Sequence, residues 1–152
     1  MGYNFGVGRE APQFSLPSID GDTIGLRQYR GDWFPIVVFF ADPTAAAADL
    51  KGLTQRADEL WGYRGQLLGV FAADVDALRE QSQAAGGAGF PLLADADGAV
   101  ARSYGVWDEH AGRPRNHAVI VDRAGKIVWA ADGGAAAVKA TEIVAAFRAI
   151  AR

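Results

Sequence analysis

Two uninterrupted apolar runs lie on either side of a segment with helical periodicity. The first covers residues 36–40 and is β-branched and aromatic, and the second covers residues 67–72, within a predicted strand over 66–72. Runs of this kind are typical of central strands buried on both faces, as in a parallel sheet. Between them, apolar residues recur at steps of three and four, which predicts a helix. These residues are Leu50, Leu53, Ala57, Leu60 and Trp61. Strand, helix and strand in this order predict a βαβ unit at the centre of an α/β fold.

The boundaries of this helix are suggested by residues with known terminal preferences. Asp42 is a favourable N-cap, and Pro43 suits the first helical position. Gly62 and Gly65 are placed to end the helix before the second strand begins. We therefore expect the helix to start directly after the first strand.

Weaker patterns predict the remaining elements. Residues 14–16 and 23–26 alternate around the turn at 20–22, which indicates an N-terminal β-hairpin. Asp74 or Asp76 opens a short helix that ends by Gly86 and Gly87, and another short helix covers residues 100–104.

The C-terminal part predicts a second hairpin and a last helix. Residues 117–121 pair with residues 126–131, and an apolar stripe then indicates a helix. The stripe consists of Val138, Ile143, Val144, Phe147 and Ile150. We expect residues 1–152 to form a single domain with a central mixed β-sheet and helices on both faces.

Composition excludes several classes of function. With 15 Lys and Arg against 18 Asp and Glu, the net charge is −3, and no clustered basic face predicts nucleic-acid binding. The absence of cysteine excludes disulfides, thiolate metal sites and any mechanism that needs a protein thiol. Residues 33–41, the strongest apolar run, are too few to span a bilayer, and the N-terminus lacks a signal-peptide pattern. We expect a cytoplasmic protein without membrane contact.

Several short motifs occur in an order that resembles a known family. They are Ala11-Pro12-Gln13-Phe14-Ser15-Leu16, Tyr29-Arg30-Gly31, residues 36–40, Phe90-Pro91-Leu92-Leu93, Tyr104-Gly105-Val106 and Val119-Ile120-Val121-Asp122. Together they resemble the peroxiredoxins, the alkyl hydroperoxide reductase and thiol-specific antioxidant branch of the thioredoxin-like fold. The length is similar to that of the small bacterioferritin-comigratory and one-cysteine types. The resemblance implies a thioredoxin-like fold of the peroxiredoxin subtype.

The resemblance also implies chemistry that this sequence does not retain. Peroxiredoxins carry a reactive cysteine in the first turn of the helix after the central strand, a hydroxyl residue three positions earlier and an arginine at a later strand. Matching Asp49 to the acidic residue that follows the cysteine places Ala46 at the nucleophile and Pro43 at the hydroxyl position. The arginine position holds Asn116, although Arg113 and Arg115 are close. No catalytic residue is retained in this alignment.

Two explanations of Ala46 remain open. A reactive cysteine could have been replaced in an authentic thiol peroxidase that reduces hydrogen peroxide or organic hydroperoxides. Three coordinated losses instead favour a natural, degenerate member of the family. A shift of one residue in the alignment would bring Thr44 or Arg115 into register. Our first hypothesis is a cysteine-less protein that binds a protein partner or a small ligand at the vestigial pocket.

The polar residues around the expected pocket are its candidate ligand-binding groups. They are Asp42, Thr44, Asp49, Trp107, Arg113, Arg115 and His117. The N–H groups at the helix start could bind an anion, or Asp42 could cap them itself and repel one. A third hypothesis is an enzyme of unrelated chemistry that uses Thr44, Asp49, His117 or Arg115.

Neither a metal nor a cofactor is expected. His110 and His117, with Asp108 and Glu109, match no compact metal-ligand spacing, and we interpret both histidines as ordinary loop and strand residues.

Five aromatic residues could lie either in the core or in an exposed patch. Trp33, Phe34, Tyr104, Trp107 and Trp129 are more than a small core needs. We expect most of them to pack in the core. The alternative is an exposed patch around Trp107, which would form a homodimer interface, through loops around the site, or a docking surface.

Overall fold

The computed structural model describes residues 6–42, 45–132 and 135–151, without the side chains of residues 132, 135 and 136. The strands are β1 (Ser15–Pro17), β2 (Thr23–Gly25), β3 (Phe34–Phe40), β4 (Gly65–Phe71), β5 (Leu92–Ala94), β6 (Trp107–Asp108), β7 (Arg113–Pro114), β8 (His117–Val121) and β9 (Ile127–Asp132). The helices are α1 (Ala47–Gly62), α2 (Val75–Ala84), α3 (Ala99–Ser103) and α4 (Ala140–Ile150), with 3-10 turns at Leu26–Tyr29 and Ala135–Val138.

A five-stranded mixed sheet forms the centre of the fold, in the order β5-β4-β3-β8-β9. Strand β3 pairs in parallel with β4 and antiparallel with β8, while β5 is parallel to β4 and β9 antiparallel to β8. A right-handed crossover through a helix is the usual way to join parallel neighbours, and α1 joins β3 to β4. The predicted βαβ unit and mixed sheet are confirmed.

Both faces of the sheet are covered. All seven residues of β3 are buried, and their side chains alternate between two apolar clusters. Ile36, Val38 and Phe40 join the cluster that contains α1, α2 and α4. Val37 and Phe39 join the cluster on the opposite face, with α3 and the N-terminal 3-10 turn. This alternation explains why the run 36–40 carries no polar residue.

The hairpins are confirmed. Strands β1 and β2 pair antiparallel with Leu16 opposite Ile24, and β8 pairs with β9. Of the two candidate caps for α2, Asp74 is used, since its Oδ1 accepts a hydrogen bond from the Ala77 N–H at 2.8 Å.

The predicted start of α1 is wrong. The helix begins at Ala47, with Ala46 as N-cap, and the first helical bond runs from the Leu50 N–H to the Ala46 carbonyl. The N-cap is therefore Ala46 and not Asp42, and the Asp42 carboxylate lies 4.0 Å from the Arg113 guanidinium. Pro43, predicted at the first helical position, lies outside the described residues. The alanines at 45–48 favour a helix start here through their high helix propensity.

Trp61 was grouped with the buried stripe of α1, and this prediction is also wrong. It is 59% exposed, whereas Leu50, Leu53 and Leu60 are buried. Adjacent positions on a helix differ by about 100°, so a stripe centred on Leu60 turns its neighbour away from the sheet.

The two-residue strands β6 and β7 were not predicted, because strands this short carry no periodicity. Trp107 pairs with Pro114, and Asp108 with Arg113. The Asp108 carboxylate accepts hydrogen bonds from the N–H groups of His110 and Ala111 and so fixes the turn. The resulting hairpin determines where Arg113 lies.

No helix in the described ranges combines the length and the apolar character needed to cross a bilayer.

The turn before α3 provides a stability test. Gly98 has φ +73°, and a Cβ there would lie 2.4 Å from the Trp107 ring. We expect Gly98→Ala to lower the free energy of unfolding by about 2–4 kcal/mol, because left-handed strain and overpacking add. Gly112→Ala is the matched control: its φ is +67° but a Cβ meets no atom within 4 Å. It should cost only about 1–2 kcal/mol. Urea unfolding measures both, and equal losses would contradict the packing argument.

Candidate functional site

A pocket of about 220 Å³ opens where β3 ends and α1 begins. Its walls come from three parts of the chain: the end of β3 with the loop after it, the first turn of α1, and the segment between β7 and β8. The lining residues are Phe40, Ala41, Asp42, Ala45, Ala46, Asp49, Arg113 and Asn116. The pocket thus lies at the carboxyl end of a central strand, which is where open α/β sheets commonly bind ligands.

The structure brings together five of the residues that the sequence nominated. Asp42, Ala46, Asp49, Arg113 and Asn116 line one pocket, although they are up to 74 positions apart, from 42 to 116. Pro43 and Thr44 lie outside the described residues.

Ala46 lies at the first turn of α1. It is 3% exposed and belongs to the apolar cluster beneath the helix, beside the pocket. A methyl group has no lone pair and no ionisable proton, so it can neither attack a substrate nor hold a charge.

Asn116 has a structural partner. Its Oδ1 accepts a hydrogen bond from the Ala41 N–H at 2.8 Å. The next residue, His117, pairs with Phe39 in the sheet, so the amide joins the end of β3 to the segment that leads into β8. An arginine cannot accept a hydrogen bond, and an arginine at this position could not make the same contact.

The charged groups at the pocket occur in opposite pairs. The Asp42 carboxylate lies 4.0 Å from the Arg113 guanidinium, and both side chains are about half exposed. Asp49 is 16% exposed and accepts a hydrogen bond from Lys139 Nζ at 2.8 Å. Each cation therefore faces a carboxylate, so the four groups carry no net charge. The exposed pair between Asp42 and Arg113 contributes little stability.

The sequence analysis did not identify Lys139 as a residue near the pocket. It lies 90 positions from Asp49 and precedes α4. No local pattern connects the two residues, and only the packing of α4 beside α1 brings them together.

Arg115 and His117 do not line this pocket. The Arg115 guanidinium donates a hydrogen bond to the Gly105 carbonyl at 2.9 Å, and its backbone N–H donates to the Val106 carbonyl. His117 is wholly buried in β8, with its ring 6.3 Å from that of Phe39. Arg115 therefore supports the turn after α3, and His117 is part of the core, in agreement with its interpretation as a strand residue.

Trp107 also lies elsewhere. It is half-buried, packs against the cluster on the α3 face and has the Arg102 guanidinium 4.2 Å from its ring centre. This packing agrees with the expected core role of Trp107 and not with the alternative of an exposed patch around it. Phe34 and Tyr104 are buried, and burial raises the pKa of the Tyr104 hydroxyl, which donates to the Pro12 carbonyl at 2.7 Å.

His110, Asp108 and Glu109 belong to the loop between β6 and β7. Within the described part of the chain, no three His, Asp or Glu side chains are grouped so that they could hold a metal ion.

Comparison with known proteins identifies the class to which this fold and pocket belong. The structure is similar to Mycobacterium tuberculosis AhpC, with a TM-score of 0.85 at 18% identity over 96% of this chain and 98% of that one. It is also similar to Xanthomonas campestris peroxiredoxin Q, with a TM-score of 0.78 at 22% identity over 91% and 92%. The chain therefore has the thioredoxin-like fold in its peroxiredoxin form.

Sequence similarity then assigns the family. A model of the AhpC/TSA family matches residues 7–130. Alkyl hydroperoxide reductase E of M. tuberculosis is 35% identical over 129 residues, which cover 82% of this chain and 83% of that protein. Peroxiredoxin Bcp of Escherichia coli K12 is 28% identical over 130 residues, which cover 80% and 81%. The chain belongs to the AhpC/TSA family and contains no cysteine.

The Asn116 contact gives a second stability test. Asn116→Ala leaves the half-buried Ala41 N–H without its acceptor, and we expect a loss of about 1–2 kcal/mol in the free energy of unfolding. Gln28→Ala removes a similar contact to the Gly25 N–H at an exposed site, where water replaces the acceptor. Thermal or urea unfolding should show the smaller loss for Gln28→Ala, and a loss at Asn116 no larger than this control would contradict the account.

Proposed function

We propose that this protein has no thiol peroxidase activity and acts by binding a small polar ligand in the pocket beside Ala46. The observation that carries the proposal is the pocket itself. It has polar groups on several sides, although the position at its helical wall holds a methyl group. Peroxide reduction in the family that the sequence resembles requires a cysteine, and this chain has none. A pocket without a reactive group can still bind a ligand, and binding is therefore the function we propose.

The paired charges favour a particular kind of ligand. A free anion would have to displace Asp42 from Arg113 or Asp49 from Lys139 before it met an uncompensated cation. A neutral ligand with donors and acceptors, or a zwitterion, matches both signs at once. The volume of about 220 Å³ suits a molecule of only a few heavy atoms.

The other hypotheses receive less support. An authentic peroxidase with a replaced cysteine would still carry its arginine. Here Asn116 occupies the expected arginine position, and its side chain accepts a hydrogen bond from the Ala41 N–H. For unrelated catalysis, Arg115 and His117 do not line the pocket, which leaves Asp49 among the described candidates. A homodimer through the loops around the pocket and a cytoplasmic location remain predictions. The β6–β7 hairpin, which carries Arg113, is the loop on which that dimer would depend.

Two measurements test the proposed function. With dithiothreitol as reductant, the purified protein should consume hydrogen peroxide no faster than a buffer blank. In ¹H–¹⁵N NMR spectra, a library of small fragments divided into neutral, zwitterionic and anionic sets should shift the amide signals of Ala46, Asp49 and Asn116. Hits should come from the neutral and zwitterionic sets.

A matched pair of variants connects binding to the pocket. Asp49→Asn removes one charge of the Lys139 pair and should weaken zwitterionic hits about tenfold, as expected for a charged hydrogen bond. Asp58→Asn makes the same change on the exposed side of α1 and should leave binding unaltered. Peroxide turnover above the blank would refute the first half of the proposal. A library without any fragment that shifts the pocket signals, or with only anionic hits, would refute the second.

A further inference from the structure

A second surface lies at the end of α1 remote from the pocket. Trp61 and Tyr63 are 59% and 62% exposed there, and with Val7 they are the large hydrophobic residues that the described part of the chain leaves exposed. The pocket is at the start of α1, and 16 residues of helix separate the two ends, a length of about 24 Å. A ligand of a few heavy atoms in the pocket cannot reach this surface.

The exposed Trp61 ring contacts a second tryptophan, which in turn lies beside an arginine. The rings of Trp33 and Trp61 lie 5.4 Å apart, and the Arg64 guanidinium is 5.5 Å from the centre of the Trp33 ring. The Phe34 N–H donates to the Arg64 carbonyl at 2.8 Å. The side chain of Phe34 also has an arginine beside it, since the Arg123 guanidinium lies 5.0 Å from the centre of the Phe34 ring. We define Trp33, Trp61, Tyr63, Arg64 and Arg123 as the aromatic–arginine surface.

The two arginines of this surface lack acidic partners. In the described ranges, neither Arg64 nor Arg123 has a carboxylate within 4.0 Å, although both are exposed. Asp32, an exposed neighbour in the chain, forms an ion pair with neither of them. Arg30, Arg56 and Arg148, by contrast, are each paired with a glutamate. The surface therefore carries a local positive excess on an acidic protein.

Arg64 occupies a position that favours glycine. It follows the C-cap of α1 with φ +69°, and no other non-glycine residue in the described ranges has positive φ. Glycine is the common residue in this left-handed position after a helix. Because a strained backbone position often has a functional reason, we infer a role for the Arg64 side chain, which lies over the Trp33 ring.

A cleft extends the surface toward α4. It has a volume of about 210 Å³ and is lined by Tyr63, Phe147, Arg148 and Ala151. The Phe147 ring contacts the Phe34 ring at 5.7 Å, so the cleft is continuous with the residues beneath Arg123. An apolar side chain of leucine or phenylalanine size fits a cleft of this volume and composition.

We propose that the aromatic–arginine surface docks an acidic segment of a partner protein, which places a large apolar side chain in the cleft and carboxylates against Arg64 and Arg123. Aromatic residues and arginine are enriched where binding energy concentrates in protein interfaces. Binding to an anionic membrane typically needs a cluster of about four to eight Lys or Arg residues, more than this surface carries. Two unpaired guanidiniums are also too few for the many phosphate contacts that nucleic-acid binding needs. The proposal is independent of the function proposed for the pocket.

A phage library of random dodecapeptides selects the preferred partner chemistry without a prior choice of sequence. Panning on the immobilised full chain should enrich peptides that combine Asp or Glu with Leu, Phe or Trp. Synthetic copies of the enriched peptides then give affinities by fluorescence anisotropy. Arg64→Gly and Trp61→Ala should each weaken binding about tenfold, as for interface anchors.

Controls separate binding from folding. Arg64→Gly relieves the left-handed strain and should raise the melting temperature, so its loss of binding cannot result from unfolding. Arg102→Gln removes a guanidinium that lies over a different tryptophan, 4.2 Å from the centre of the Trp107 ring, and should leave the affinity unchanged. The proposal is overturned if no peptide is enriched, if the enriched peptides are neutral or basic, or if their affinity is insensitive to Arg64→Gly. Tighter binding to anionic lipid vesicles than to the peptides would overturn it as well.

Discussion

Strand β3 is the element on which the rest of the structure depends. Its seven residues are buried on both faces, and it pairs with β4 on one side and β8 on the other. Because β3 is parallel to β4, the chain must cross over through α1, and this places the first turn of α1 beside the end of β3. Because β8 is antiparallel to β3, the segment before β8 arrives at that same end. The pocket is formed where these three segments meet.

The chemistry at this point differs from what the family resemblance implies. A helix N-terminus with a nearby cation would stabilise an anion. Here the Arg113 and Lys139 cations are opposed by Asp42 and Asp49, and Asn116 holds the backbone of Ala41. The charged groups around the pocket are thus paired with one another. Under the proposed function, a neutral or zwitterionic ligand is favoured by these side chains alone, and the backbone of β3 and α1 needs no special feature.

Periodicity and residue type were enough to predict the parts of the fold that are buried. The run 36–40 and the stripe through Leu53 and Leu60 have patterns that only burial explains, and the structure confirms them. Local sequence patterns gave wrong predictions where tertiary contacts determine the position of a side chain. Asp42 has the properties of an N-cap but lies beside Arg113, and Trp61 fits a helical spacing but turns outward.

Only part of the site could be predicted, because local sequence patterns do not show which distant residues meet in the folded chain. Asp49 and Asn116 were placed by their distances from recognisable motifs, whereas the Lys139 partner depends on how α4 packs, which no local spacing reports. The short β6–β7 hairpin, which carries Arg113, was missed because two residues give no period. The aromatic–arginine surface combines Trp33 with residues that follow α1 and β8, and those elements meet only in the folded chain.

The pKa of a cysteine introduced by Ala46→Cys tests the central claim most directly, because it reports whether the pocket still stabilises an anion. The account predicts a thiol pKa of about 8.5 or above, the value of an ordinary cysteine, since burial opposes the helix terminus and Asp42 and Asp49 neutralise the nearby cations. Ala48→Cys, on the exposed side of the same turn, supplies the reference. Thiolate absorbance or the pH dependence of alkylation measures both. A pKa of about 6 or lower at position 46, as in reactive cysteines, would show that the pocket keeps the electrostatics of a thiol enzyme and would contradict the account.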